Sequence, residues 1–246
     1  YRGLRLDPWR QVFASRESAP KIIADGSLRG KLSPADWGSS EISAQSTQFS
    51  IEYPTLALSA AGPVNVHYAA RRLTIDRFNL KGPSTSLEVE GSAHFGQGGS
   101  LALQAEGTAE ATLLSLVDPA LQASGASLLK VRVTGSFARP ALHGSMSVQN
   151  VNAGYGDLPF RVTGLTGNVL LEGDRATLRS LEGTSGGGRV VLNGYVDFGT
   201  STRFNLQAGL TQVRVRYPSV FTSMLDGTLR LASSAERGEI SGDLIV

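Results

Sequence analysis

Apolar and polar residues alternate in short runs along almost the whole chain. Leu73-Thr74-Ile75, Leu87-Glu88-Val89-Glu90, Leu101-Ala102-Leu103, Val131-Arg132-Val133, Thr177-Leu178-Arg179, Phe204-Asn205-Leu206 and Val213-Arg214-Val215 are examples. Gly, Asp, Asn or Ser punctuates the runs. A period of two is the signature of a β-strand, and polar residues at the intervening positions give each strand one apolar and one wet face. The pattern therefore predicts an all-β protein. Three segments depart from it: Asp7 to Phe13, Thr112 to Pro119, and Tyr217 to Leu225. Each has room for one or two helical turns, with Pro8 and Pro218 near a first-turn position. Turns this short do not stand alone, so they are expected as helical plugs over an open end or edge of apolar surface.

The runs repeat at long range. Val131 to Val148 aligns with Leu229 to Val246 at an offset of 98, and Tyr53-Pro54 aligns with Leu158-Pro159 at 105. Leu87, Val89, Gly91, Ala93, Phe95, Gly96, Leu101, Leu103 and Ala105 align at 103 with Val190, Leu192, Gly194, Val196, Phe198, Gly199, Phe204, Leu206 and Ala208. Gly125 meets Gly227 at 102. These anchors predict a unit of about 100 residues. The expected division is 1–25 as the end of one repeat, 26–126 and 127–229 as full repeats, and 230–246 as the start of another. Both ends run into strand-like sequence, which reads as a segment of something longer. No tether separates the copies, which favours one continuous elongated sheet over separate globules. With a strand every 11 to 12 residues and about 4.8 Å between neighbours, one unit advances roughly 43 Å and the whole roughly 90 to 100 Å.

Composition narrows what such a sheet does with its apolar face. Aromatics are only 7% of residues, too few to fill the space between two stacked sheets, whereas Gly reaches 29 of 246. Gly91, Gly135, Gly144, Gly167 and Gly194 fit bulges or tight bends where a sheet folds over on itself. The expected architecture is an elongated, twisted open sheet folded into a U- or V-shaped trough, a β-taco or β-groove. Its aliphatic lining suits acyl chains. The lining expected from alternation is Val64, Val66, Leu73, Ile75, Leu87, Val89, Phe95, Leu101, Leu103, Val131, Val133 and Val148 in the earlier part. It continues through Val169, Leu171, Leu178, Val190, Leu192, Val196, Phe198, Phe204, Leu206, Val213 and Val215.

Chemistry is hard to place on this sequence. With no Cys, thiolate metal sites, disulfides and thiol catalysis are excluded. His67 and His94 stand on the polar phase of their strands and His143 falls in the turn after Pro140, isolated from one another, so no zinc-ligand spacing exists. Glu88 and Glu90 share a face and could in principle pair for acid and base work, but they alternate with Leu87 and Val89 toward solvent. Ser185, in Gly183-Thr-Ser-Gly-Gly-Gly188, lacks nucleophile-elbow spacing, and that Gly run lacks the Lys of a phosphate loop. It reads as a flexible hairpin end. The basic concentrations are Arg71-Arg72 and Arg214 with Arg216; alternation through Val213 and Val215 places the latter two on the outer face, open to lipid phosphates, to an acidic partner or to a role in solubilising an edge. A net charge of +2, from 23 basic and 21 acidic residues, gives no nucleic-acid footprint. Trp9, Trp37, Tyr1, Tyr53, Tyr68, Tyr155 and Tyr217 are scattered and make no stacking stripe for bases. No catalytic residue, cofactor or metal is expected. No signal peptide or spanning helix is expected either, since the most apolar stretch, Ala111 to Leu129, is broken by Asp118 and Pro119.

The order Val133-Thr-Gly-Ser-Phe-Ala-Arg-Pro-Ala-Leu-His-Gly-Ser-Met-Ser-Val148, Leu158-Pro-Phe, Leu165-Thr-Gly-Asn-Val and Arg179 to Gly194 resembles the C-terminal region of the TamB translocation and assembly module family. Leu225 to Leu231 and Ile240 to Val246 resemble the next turn of the same repeat, and Gly82 to Gly91 stands where the Gly-rich hairpin recurs. The wider AsmA-like proteins share the general architecture. The resemblance implies a large Gram-negative envelope protein anchored in the inner membrane and extending through the periplasm to an Omp85-class outer-membrane partner. That partner would bind a region outside this segment. It also implies transport of phospholipids between the membranes, with a link to insertion of outer-membrane β-barrels. Two other readings stay open: a chaperone surface pairing its open edge with nascent barrel strands, and a purely structural β spacer.

Overall fold

A computed structural model describes residues 4–5, 21–53, 56–116, 120–156, 161–198, 203–216, 222–233 and 238–246. Its strands are β1 (Leu4–Arg5), β2 (Lys21–Lys31), β3 (Glu41–Tyr53), β4 (Leu56–Ala60), β5 (Val64–Ala69), β6 (Arg72–Lys81), β7 (Ser86–His94) and β8 (Ser100–Glu110). There follow β9 (Leu121–Ser136), β10 (Arg139–Tyr155), β11 (Arg161–Gly173), β12 (Arg175–Ser185), β13 (Gly188–Asp197), β14 (Arg203–Arg216), β15 (Thr222–Ser233) and β16 (Gly238–Ile245). The protein is all-β, as alternation predicts, and every described pairing is antiparallel. The chain divides into two compact units: Tyr1–Ala109 with Arg132–Pro140, and Glu110–Val131 with Ala141–Val246.

In the first unit β1, β2 and β3 are neighbours in chain order. β3 then pairs with β5 along its first half and with β4 along its last residues, and β6 pairs with both on the other side. One column of this sheet is thus built from two short strands, interrupted at Ala61-Gly62-Pro63. β7 and β8 extend it as a meander. In the second unit β10 to β16 form an unbroken meander, and β9 lies beside β10, where a Cβ on Gly144 would sit 3.0 Å from the Cα of Val131. Consecutive hairpins are the least demanding way to join antiparallel strands.

The helical expectations fare unevenly. Residues 111–116 make a 3₁₀ turn, Ala111–Leu116, which packs on apolar surface: Ala111 is buried against Val148, Val151, Leu165, Val169 and Leu181. The turn expected over 217–225 does not form across its described part, since Thr222 to Leu225 open β15 and pair with β14. The turn expected over 7–13 lies outside the described residues. A further 3₁₀ turn, Trp37–Ser39, is capped by Asp36, whose carboxylate accepts from the Gly38 N–H at 2.9 Å. His143, expected in a turn, lies within β10 opposite Glu172, because β10 begins at Arg139 and runs straight through Pro140.

Bulges fall at positions other than the glycines expected to make them. In the second unit register slips by one residue at Asn150 on β10, Gly164 on β11, Ser180 on β12 and Gln212 on β14. All four have positive φ, between 49° and 66°. Each bulged residue has lost its ladder partner, and in each case a side chain accepts its N–H: Thr166 Oγ1 for Asn150, Asn152 Oδ1 for Gly164, Asn193 Oδ1 for Ser180 and Asp226 Oδ1 for Gln212. The four bulged backbone donors are thereby kept paired. Gly91 and Gly194 stand opposite the last residue before such a slip, Ile75 and Leu178, with φ of 145° and 132°. A Cβ there would lie 2.2 Å from the Ala102 carbonyl oxygen and 2.1 Å from that of Asn205, so only Gly permits the neighbouring strand so close.

Candidate functional site

Pairing assigns every described strand residue to one of two faces. In the first unit the rows Tyr68–Leu73–Ala93–Leu101, Val66–Ile75–Gly91–Leu103, Phe78–Val89–Ala105 and Leu80–Leu87–Gly107 share one face. Ile42 and Ala44 extend the first two across β3. The rows on the other face are polar: Arg72–His94–Ser100, His67–Thr74–Ser92, Glu90–Gln104 and Asn79–Glu88–Glu106. The second unit repeats the arrangement. Leu178–Gly194–Leu206–Leu231–Ile240, Leu181–Leu192–Ala208–Leu229 and Val190–Leu210–Gly227–Leu244 share the apolar face, and Thr177–Tyr195–Asn205 and Arg189–Thr211 lie on the reverse.

Those expected lining residues that lie in described pairings fall on the apolar face of their own unit, and the set differs in accessibility. Val64 and Leu87 in the first unit, and Val131, Val148, Val169, Val190 and Val213 in the second, are buried; Val190 is 3% exposed and Val213 only 1%. They form a floor that touches neighbouring side chains rather than open space. Val66, Leu73, Ile75, Val89, Leu101, Leu103 and Val133 are half-buried, as are Leu171, Leu178, Leu192, Val196, Phe198, Phe204, Leu206 and Val215. Phe95 lies just beyond β7 and is 41% exposed. Among the expected lining residues, accessible apolar surface therefore belongs to Phe95 and the half-buried set.

Strict alternation misses several members. Val151, Leu165 and Leu181 belong to the buried cluster of the second unit, and Phe78 and Leu80 to the apolar face of the first. Phe78, Val151, Leu165 and Leu181 each follow a bulge or register slip, so the apolar predecessor stands three residues back instead of two, as in Ile75 to Phe78, Val148 to Val151 and Leu178 to Leu181; Leu80 then follows Phe78 at the ordinary spacing. A spacing of three across two polar or small residues inside an otherwise alternating run is the sequence signal.

The polar face carries ion pairs. Glu88 and Glu90 both contact Arg77, at 3.3 and 3.0 Å, and raise its pKa. His67 meets Ser43 Oγ at 3.1 Å through Nδ1 and lies 3.6 Å from Asp76 through Nε2. His94 is half-buried beneath the β7–β8 turn, and its Nδ1 has no hydrogen-bond partner. Arg175 makes a two-pronged contact with Asp197, at 2.6 and 3.0 Å, and stacks 4.0 Å over the Tyr195 ring. The hydrogen bonds from Arg175 hold the Asp197 carboxyl below its ordinary value. Ser185 is buried where Gly186-Gly187 turn the β12–β13 hairpin. Arg214 is exposed on the polar face opposite Met224. A shallow, open cleft on the polar face of the first unit is lined by Arg72, Thr74, Asp76, Arg77, Glu90, Ser92, Gln104 and Arg132. Among the described residues no three His, Asp or Glu side chains are grouped so as to hold a metal ion. No described helix is long and apolar enough to cross a membrane.

No family model, curated protein or solved structure matches the chain.

Proposed function

We propose that the apolar face is a path for phospholipid acyl chains, and that the chain is a bridge segment of a TamB- or AsmA-like envelope protein. In this reading the sheet folds into a trough built from repeats of about 100 residues, with the half-buried aliphatic side chains lining its interior. The observation that carries it is the recurrence of pairing. Ile75–Gly91–Leu103 in the first unit recurs as Leu178–Gly194–Leu206 in the second, and Leu73–Ala93–Leu101 recurs as Ala176–Val196–Phe204, each partner 103 residues on. A repeated face with the same phase presents similar apolar surface at each step. An acyl chain gains about 0.8 kcal/mol per CH₂ removed from water, with no specific polar pocket needed. Contacts of nearly equal energy at successive positions allow a chain to slide. No bond is made or broken in this role. The periplasmic setting, the inner-membrane anchor and an Omp85-class partner bound by another region belong to the same proposal and rest on the sequence resemblance.

The test is photo-crosslinking in cells, with a photoreactive residue at 192, 193, 206 or 207 and attached lipid measured. Adducts confined to 192 and 206 support the path; equal labelling at all four, or at none, rejects it. Position 190 is expected to stay silent because Val190 is buried. The repeat array has its own test in small-angle scattering, where a radius of gyration near the roughly 18 Å of a compact domain of this length would refute it.

A further inference from the structure

The shallow cleft on the polar face of the first unit holds two arginines without partners. Arg72 on β6 and Arg132 on β9 border it, and among the described residues no hydrogen bond or ion pair engages either guanidinium. The third arginine of the lining, Arg77, is taken up by Glu88 and Glu90, and Asp76 lies 3.6 Å from His67 Nε2. Arg72 stands opposite His94, and Thr74, Ser92 and Ala102 cross β6, β7 and β8 as the adjacent row of the polar face. The short side chains of that row floor a hollow of about 640 Å³, the size of a small-molecule site.

The second unit shows what these positions hold when they are satisfied. At the offset of 103, Arg72, Thr74 and Gln104 recur as Arg175, Thr177 and Gln207, and at the offset of 98 Arg132 recurs as Arg230. There Arg175 makes its two-pronged contact with Asp197 and lies 4.0 Å over the Tyr195 ring, and Arg230 Nε donates to Asn205 Oδ1 at 3.2 Å. In the first unit His94 stands in the place of Asp197, Ser92 in that of Tyr195 and Ala102 in that of Asn205. Pairing confirms the equivalence: Arg72 faces His94 and Ser92 faces Ala102, as Arg175 faces Asp197 and Tyr195 faces Asn205. The first unit therefore keeps both cations and lacks the carboxylate, the ring and the amide oxygen that engage them in the second.

We propose that the cleft binds a sugar bearing a carboxylate or a phosphate, which supplies the missing groups. Its oxyanion meets Arg72, a ring oxygen or hydroxyl accepts from Arg132, and its ring lies over Thr74, Ser92 and Ala102. A guanidinium takes the oxygens of a carboxylate or phosphate in pairs, as Arg175 takes those of Asp197 from the equivalent position. Thr74, Ser92 and Gln104 offer hydroxyl and amide groups to the hydroxyls of a sugar. Among the described residues no aromatic ring lines the cleft, so a nucleobase has nothing to stack on. The lining sets Arg72, Arg77 and Arg132 against Asp76 and Glu90, which leaves it positive and suited to an anion. The site lies on the face opposite the apolar rows and does not depend on the acyl-chain reading.

The test follows the arginine Nε–H signals of the whole chain by NMR at constant ionic strength, with glucose 6-phosphate, glucuronate, glucose and inorganic phosphate as probes. The two acidic sugars should shift the Arg72 and Arg132 signals saturably and bind about fivefold or more tightly than either glucose or inorganic phosphate. Arg72→Gln/Arg132→Gln should weaken the acidic sugars about tenfold. Ser92→Tyr/Ala102→Asn, which builds the second unit's own side chains into the first, should weaken them to a similar degree with the thermal melt unchanged. Inorganic phosphate binding as tightly as the acidic sugars would reduce the cleft to a simple ion site and overturn the proposal. So would acidic sugars whose affinity is the same in the arginine variant. Binding to phosphatidylinositol vesicles with none to the free sugars also overturns it, and would make the cleft a membrane contact.

Discussion

Leu181→Ala tests whether the floor of the second unit is a packed core. Leu181 is 6% exposed and sits in one cluster with Ala111, Val148, Val151, Leu165 and Val169. Truncation removes three carbons from that cluster. Transfer alone costs about 2.4 kcal/mol at about 0.8 kcal/mol per methylene, and incomplete collapse around the cavity raises the total to about 3 to 4 kcal/mol. Native-state hydrogen exchange at Val169 and Leu178, which face each other across β11 and β12, reads this locally. At about 1.4 kcal/mol per tenfold, their protection should fall by about two orders of magnitude. Leu128→Ala on β9, where the side chain is 55% exposed, should change protection by less than about threefold. Leu181→Met, which conserves volume, should cost less than about 1.5 kcal/mol. A fall below about fivefold in Leu181→Ala would mean that this face is open and freely repacked, and the division into buried floor and accessible lining would be wrong.

Gly194→Ala places a Cβ against the Asn205 carbonyl at a φ that L-residues rarely adopt, and should destabilise by about 2 kcal/mol or more; Gly238→Ala, with open space around it, should be neutral, both read by thermal melts. Asn193→Ala removes the acceptor for the bulged Ser180 N–H and should cost about 1 kcal/mol, seen as faster exchange of that amide. Because Arg175 lowers the Asp197 pKa, the pair's stabilisation is present above the usual aspartate range and is lost as pH falls through the depressed value. Carboxyl NMR should find the Asp197 midpoint below 3.8, and Arg175→Gln should raise it; an unmoved midpoint would contradict the pairing.

Alternation alone determined that this chain is β throughout and which residues share a face, because the two-residue period of a strand is a local property of the backbone. The phase of Leu87, Val89, Leu101 and Leu103, and its return at Val190, Leu192, Phe204 and Leu206, could be read without coordinates for that reason. Where the period slips it could not be read so simply: Val151, Leu165 and Leu181 lie beyond bulges, and a bulge is decided by whether the next strand offers an acceptor such as Thr166, Asn193 or Asp226. Gly91 and Gly194 signalled a special backbone, but only the pairing revealed that the cause is a neighbouring carbonyl about 2 Å from where a Cβ would be. Tertiary packing also decided that Val190 and Val213 are floor while Leu192 and Leu206 stay half-buried, since exposure depends on which other rows close over a residue. Tyr68 meets Phe95 and Phe95 meets Phe137, 27 and 42 positions apart in the sequence, because antiparallel hairpins return the chain to the same end of a sheet, and no local pattern carries that distance.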